Sequence, residues 1–237
     1  MKTFVCSLGC ILLFFSSCSI QQEISLNTNG GGTYRGNIVV SEDFSSYLSE
    51  LASLSMDQSE EFKLFDKEKI KTDLEEEENG VTVTGMTVED TNTMRLELDF
   101  QSIEGLLQTE EARAAGIITF EKKTDNSKTV HIHLDRDNYK QLNSLFSDEQ
   151  SIIMDTFGPE ENEGLTEEEY LEMMSFALGE SGSKLISTSV IETEITVDGT
   201  ILEQNGGVLE GDTVIYRIPL IRILLLDQTI DYSLTFR

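Results

Sequence analysis

The chain of 237 residues holds two histidines, His131 and His133, spaced two apart. On an extended strand, side chains at i and i+2 share a face about 7 Å apart, close enough to chelate one ion. Zinc suits such a pair, but no thiol is at hand to complete the set. The three cysteines, Cys6, Cys10 and Cys18, all lie in the first 18 residues. Carboxylates would have to serve instead. Val130, Ile132 and Leu134 alternate with the histidines. If that apolar set takes the core face, the histidines face solvent as ordinary strand residues. The reading is therefore no metal site and no cofactor, with His131 and His133 the candidates should one exist.

Other chemistries find less to work with. Gly179-Glu180-Ser181-Gly182-Ser183 nearly spells a nucleophile elbow but lacks the last glycine and follows a helical pattern, whereas an elbow follows a strand. The glycines of residues 30–36 miss dinucleotide-binding spacing and lie between strands. The acidic stretches 75–78 and 160–169 offer carboxylates without an EF-hand loop and its central glycine. Paired carboxylates could serve a glycosidase, but the chain has no tryptophan, the usual sugar-stacking platform. No catalytic residue is assigned.

The elements that must position these residues read as hairpins alternating with helices. Ile24 and Leu26, then Tyr34, Ile38 and Val40, flank the turn Asn29-Gly30-Gly31-Gly32. Ser41 can cap a helix carrying Phe44, Leu48, Leu51 and Ala52, and a more charged helix follows over residues 65–77. Val81, Val83, Met94, Leu96, Leu98 and Phe100 outline a second hairpin. A short helical patch over 102–114 leads to a third, 117–122 and 130–134, around Asp125-Asn126-Ser127. Helical spacing returns at Tyr139, Leu142, Leu145 and Phe146. The clearest helix starts at Thr166, with Glu169 completing a capping box, Leu165 and Tyr170 forming a hydrophobic staple, and Gly179 as its stop. Strands are expected over 185–197, 214–218 and 230–236, and residues 220–226 form an apolar run read as a buried strand or short core helix. The fold class is α+β: antiparallel sheet built from β-hairpins, with helices packed on one face.

The N-terminus carries an address. Lys2 precedes an apolar run over residues 4–15, then Ser16, Ser17 and Cys18. About a dozen apolar residues suit a signal peptide and fall short of the roughly 20 that a membrane-spanning helix needs. Small residues before a cysteine resemble the lipobox of bacterial lipoproteins, in the looser form seen in spirochaetes. That resemblance implies cleavage before Cys18 and acylation of it. Cys10 competes less well, since processing there would strand the apolar residues 11–15. The expected organisation is a signal peptide over 1–17, a lipidated anchor and short tether over 18–22, and one domain over 23–237.

Net charge bounds the partners. Forty-four acidic against 17 basic residues leave −27, which repels nucleic acid and anionic headgroups. A hydrophobic content of 38% suffices for a core, so this is no disordered acidic tail.

Near the C-terminus run Ile195-Thr196-Val197-Asp198-Gly199, Asn205-Gly206-Gly207, and Tyr216-Arg217-Ile218-Pro219-Leu220. This order resembles the ending of LppM-like bacterial lipoproteins, and the hairpin after Cys18 is similar too. The resemblance implies an envelope-exposed α+β domain that binds a lipid or another ligand, and it brings no catalytic residues. The functional expectation is a membrane-attached, non-enzymatic binding module for a protein or lipid partner. The alternatives are an envelope hydrolase using carboxylate chemistry and a cation-binding surface protein.

Overall fold

The structure, a computed structural model, describes residues 18–42, 44–46, 49, 63–75, 80–90, 92–107, 116–143 and 157–237. Alternation of apolar and polar residues builds its strands. The first hairpin is β1 (Cys18–Asn27) and β2 (Gly32–Val40), paired from Cys18↔Val40 to Leu26↔Gly32. Its turn is closed by Asn27, whose carboxamide oxygen accepts from the backbone N–H of Asn29 and Gly31, while Gly30 sits at φ +93°. Next come α1 (Lys67–Glu75) and the hairpin β3 (Val81–Glu89) and β4 (Thr93–Phe100), then the single turn α2 (Ile103–Leu106). The third hairpin is β5 (Ile118–Lys122) and β6 (Lys128–Leu134), turning where Asp125 accepts from the N–H and hydroxyl of Ser127. Then come α3 (Arg136–Asn143) and α4 (Glu167–Thr188). The last third holds β7 (Val190–Asp198), β8 (Ile201–Asn205), β9 (Val208–Glu210), β10 (Thr213–Pro219), α5 (Leu220–Leu225) and β11 (Ile230–Phe236).

The strands form two sheets, ordered β3-β4-β2-β1-β7-β10-β9 and β5-β6-β11-β8. Pairing is antiparallel except for β1 with β7, whose connection spans most of the chain, as a parallel pair requires a long crossover. Registers align the apolar sets: Ile20 lies beside Ile38 and Ile191, Ile24 beside Tyr34 and Ile195, and Tyr34 beside Leu98. The inward residues of the larger sheet share one core with Leu134, Ile230, Leu234 and Phe236 of the smaller sheet and with Phe44, Phe65, Leu74 and Tyr139. The domain is thus α+β, and its large sheet is covered by a second sheet as well as by helices.

A second cluster gathers Phe157, Tyr170, Met174 and Ile186 against Leu220, Ile221, Leu224 and Leu225 of α5. This settles the apolar run over 220–226 as a short buried helix. Arg136 holds its end, donating from Nε to the Leu226 carbonyl (3.2 Å) and from its guanidinium to that of Leu225 (2.9 Å).

The capping box at the start of α4 forms as expected: Glu169 N–H donates to Thr166 Oγ1 (3.3 Å), and Thr166 N–H to Glu169 Oε2 (2.9 Å). Gly179 leaves helical geometry at φ +76°, ψ 173°, yet the chain resumes a helical turn and continues to Thr188. Residues 185–188, expected as strand, are therefore helix, and strand begins at Val190. Apolar Leu185 and Ile186 cannot by themselves distinguish a buried strand from a buried helix. Residues 18–22, expected as a tether, lie in the sheet as the first half of β1. Ile20 is fully buried and Gln22 nearly so. Leu48, Leu51, Ala52, Leu145 and Phe146, as well as residues 108–114 of the expected short helix, lie outside the described residues.

Candidate metal centre

β6 and β11 are the two inner strands of the smaller sheet, so each is held by hydrogen bonds on both sides. Their antiparallel register sets His133 opposite Asp231 and His131 opposite Ser233. Inward, Val130, Ile132 and Leu134 meet Leu234, Tyr232 and Ile230. Outward, His131, His133 and Asp231 share one solvent-facing patch. The two imidazole rings lie 5.9 Å apart, inclined by 43°. One carboxylate bridges them: Asp231 Oδ1 is 3.1 Å from His131 Nε2, and Oδ2 is 3.0 Å from His133 Nδ1. One ligand atom from each of the three residues can be chosen so that all lie within 4.8 Å of one another.

A second carboxylate stands behind His133. Asp135 Oδ2 is 3.1 Å from His133 Nε2. Its Oδ1 accepts from the backbone N–H of Asp137 (2.9 Å) and of Asn138 (3.0 Å) at the first turn of α3. Asn138 ties the corner down, accepting from Asp135 N–H (2.9 Å) and donating to the His133 carbonyl (2.7 Å).

The electrostatics follow from these contacts. The hydrogen bond with Asp231 raises the pKa of His133 above the ordinary histidine value; burial opposes this and Asp135 adds to it. Hydrogen bonds from His133 and then His131 hold Asp231 below the usual carboxylate range. Asp135 is lowered first by the Asn138 backbone N–H, with smaller help from His133 and Asp137. An imidazole between two carboxylates uses both ring nitrogens as donors only when protonated, which explains the direction at His133.

The histidines face outward as the alternation implies. Asp231 and Asp135 were not among the sequence candidates. Asp135 continues the spacing His131-x-His133-x-Asp135 and was legible. Asp231 lies 98 residues beyond His133 and is brought in by strand pairing, which local pattern does not encode.

The other candidates are placed differently. Gly179 forms the kink of α4, so residues 179–183 have no strand before them and no elbow geometry. Residues 30–36 are the β1–β2 turn and the start of β2. Within 160–169, Glu160 pairs with Lys140 (3.6 Å), Glu163 with Arg136 (3.5 Å), and Glu169 serves the cap. Glu75 ends α1, and residues 76–78 lie outside the described residues. Among the described residues no helix is long and apolar enough to cross a membrane.

No protein-family model matches the chain, and no curated protein matches it. Among solved structures, it is similar to the folded domain of the Mycobacterium tuberculosis protein LppM, determined by NMR, at 7% identity and a TM-score of 0.42, over 93% of this chain and 90% of that one.

Proposed function

We propose that this chain is a lipid-anchored protein of the bacterial cell envelope, acting as a non-enzymatic binding module for a protein or lipid partner. The observation that carries the reading is the course of β1. Cys18, the residue of the lipobox-like pattern, lies in it, and the strand runs on to Asn27 at the far end of the sheet, about 30 Å away. Ile20 is already packed in the core, so an acyl group on Cys18 would hold the domain close to the bilayer by one end of its large sheet. The opposite end would point outward. An open cleft of about 530 Å³ lies there, lined by Ser25, Asn27, Thr33, Thr196, Asp198 and Asp212 among others. Walls of mixed polarity that carry two carboxylates, Asp198 and Asp212, suit a protein segment bearing basic or hydrogen-bonding groups.

Carboxyl chemistry points the same way. Asp125, Asp135, Glu169 and Asp231 are all displaced downward and held ionised by hydrogen bonds. Ionised carboxylates suit cations and basic partners. The His131, His133 and Asp231 patch favours cation binding as a second reading.

Detergent partition of the wild type and Cys18→Ala tests the anchor. The wild type should carry fatty acid and enter the detergent phase, and the variant should do neither. A wild type without fatty acid that partitions like the variant overturns it. Native mass spectrometry of the purified chain tests the binding role, through a co-purified polypeptide or phospholipid. A protein that carries neither, and is captured by neither membranes nor envelope proteins after cross-linking in cells, overturns it.

A further inference from the structure

We propose that His131, His133 and Asp231 form a binding site for one divalent first-row transition ion of the zinc and copper type, oriented by Asp135. The proposal depends on neither the lipid anchor nor the cleft; it rests on the second, cation-binding reading and names the metal class.

The donor set comes first. Two imidazole nitrogens and one carboxylate favour zinc, copper or nickel over calcium or magnesium, which take oxygen ligands. The atoms are nearly in place. Tetrahedral zinc with bonds of about 2.0–2.1 Å sets its ligand atoms roughly 3.3 Å apart. The Asp231 oxygens already stand 3.1 Å from His131 Nε2 and 3.0 Å from His133 Nδ1. An ion entering between carboxylate and rings takes the place of the protons now shared there, and draws together three ligand atoms that already lie within 4.8 Å of one another. The backbone is prepared by position, since β6 and β11 are both inner strands.

Asp135 supplies what a metal-binding histidine needs on its far side. With Asp135 accepting from Nε2–H of His133 at 3.1 Å, the tautomer presents a bare Nδ1 lone pair toward Asp231. Asp135 is itself fixed by two backbone N–H groups of α3, so the ring cannot easily turn away. The patch lies on the open face of the sheet, with side chains 38%, 39% and 45% exposed. Three protein ligands would leave the remaining coordination positions to water or to a donor from a partner.

Zinc titration of the full chain by calorimetry tests this, against the double variant His131→Asn/His133→Asn. The two proteins differ only at these two histidines, so zinc bound anywhere else cancels. The wild type should bind one more equivalent of zinc than the double variant, undisturbed by excess calcium. Asp231→Asn should weaken that step at least about tenfold, and Asp135→Asn by about 10–100-fold, the usual cost of losing an orienting carboxylate. Copper(II) bound to the wild type should show electron-spin coupling to two nitrogens. Equal zinc binding by wild type and double variant, displacement by calcium, or coupling to fewer than two nitrogens would overturn the site. Unchanged affinity in Asp135→Asn would overturn its orienting role. Thermal melts of each variant establish folding, and the copper spectrum of the wild type needs no variant.

Discussion

Tyr216, on the larger sheet, donates its hydroxyl proton to the backbone carbonyl of Ser233 on the smaller one, at 2.7 Å. Its ring also stacks on Tyr232, centroids 5.1 Å apart. The two sheets are thus joined by a polar contact within an apolar seam, and burial pushes the Tyr216 hydroxyl up to about 12. Tyr216→Phe should keep the stack and lose the bond, costing about 0.5–1.5 kcal/mol in urea unfolding. A change indistinguishable from zero would mean that the seam is held by apolar packing alone.

The turn between β8 and β9 folds over that stack. Gly206 lies at φ +83°, and a Cβ there would overlap the Tyr232 ring. A Cβ on Gly207 would stand 2.8 Å from Tyr216 Cε1. Gly206→Ala therefore meets both backbone strain and a clash, and should cost more than the roughly 1 kcal/mol of a typical point substitution. Gly211, also at positive φ (+67°) but with nothing near its Cβ position, is the control that isolates the clash from the strain.

The last strand gives a two-sided comparison. Leu234 is 1% exposed, while Ser233 points to the outer face beside His131. Leu234→Asp should cost roughly 3–5 kcal/mol, from lost apolar burial and a buried charge. Ser233→Asp should stay within about 1 kcal/mol. Equal losses in urea unfolding would contradict the half-buried strand.

Ile20 lies two residues after Cys18 and is fully buried. Ile20→Ala should destabilise the domain by about 2–5 kcal/mol, while the acylation proposed at Cys18 should be unaffected. Mass spectrometry of the lipid and a thermal melt report the two effects separately. A stable Ile20→Ala chain would return residues 18–22 to the status of a tether.

Glu169 offers a pH signature. The Thr166 backbone N–H, then its hydroxyl, hold the carboxyl below the ordinary glutamate value. A group whose folded pKa is depressed contributes stability above its unfolded pKa and loses it as pH falls through the folded pKa. The melting-temperature gap between wild type and Glu169→Ala should be full above about pH 5 and close at lower pH. In carbon NMR titrations, Thr166→Ala should raise the Glu169 midpoint; no movement would show that the Thr166 hydroxyl does not help hold the carboxylate.

By itself the sequence determines what is local. Period-two alternation places β2, β4, β6, β10 and β11, because a half-buried strand needs an apolar and a wet face. Thr166 and Glu169 announce the start of α4, because capping donors lie within one turn of their partners. The outward direction of His131 and His133 follows from the same alternation. Only the tertiary structure decided which strands lie side by side. It set Asp231 opposite His133, ran β1 parallel to β7, and split β8 and β9 between two sheets. It also chose helix over strand for Leu185 and Ile186, where Ile186 could join a second core against α5. Pairing and burial are settled by contacts between distant segments competing for the same core, and no short window of sequence contains both partners.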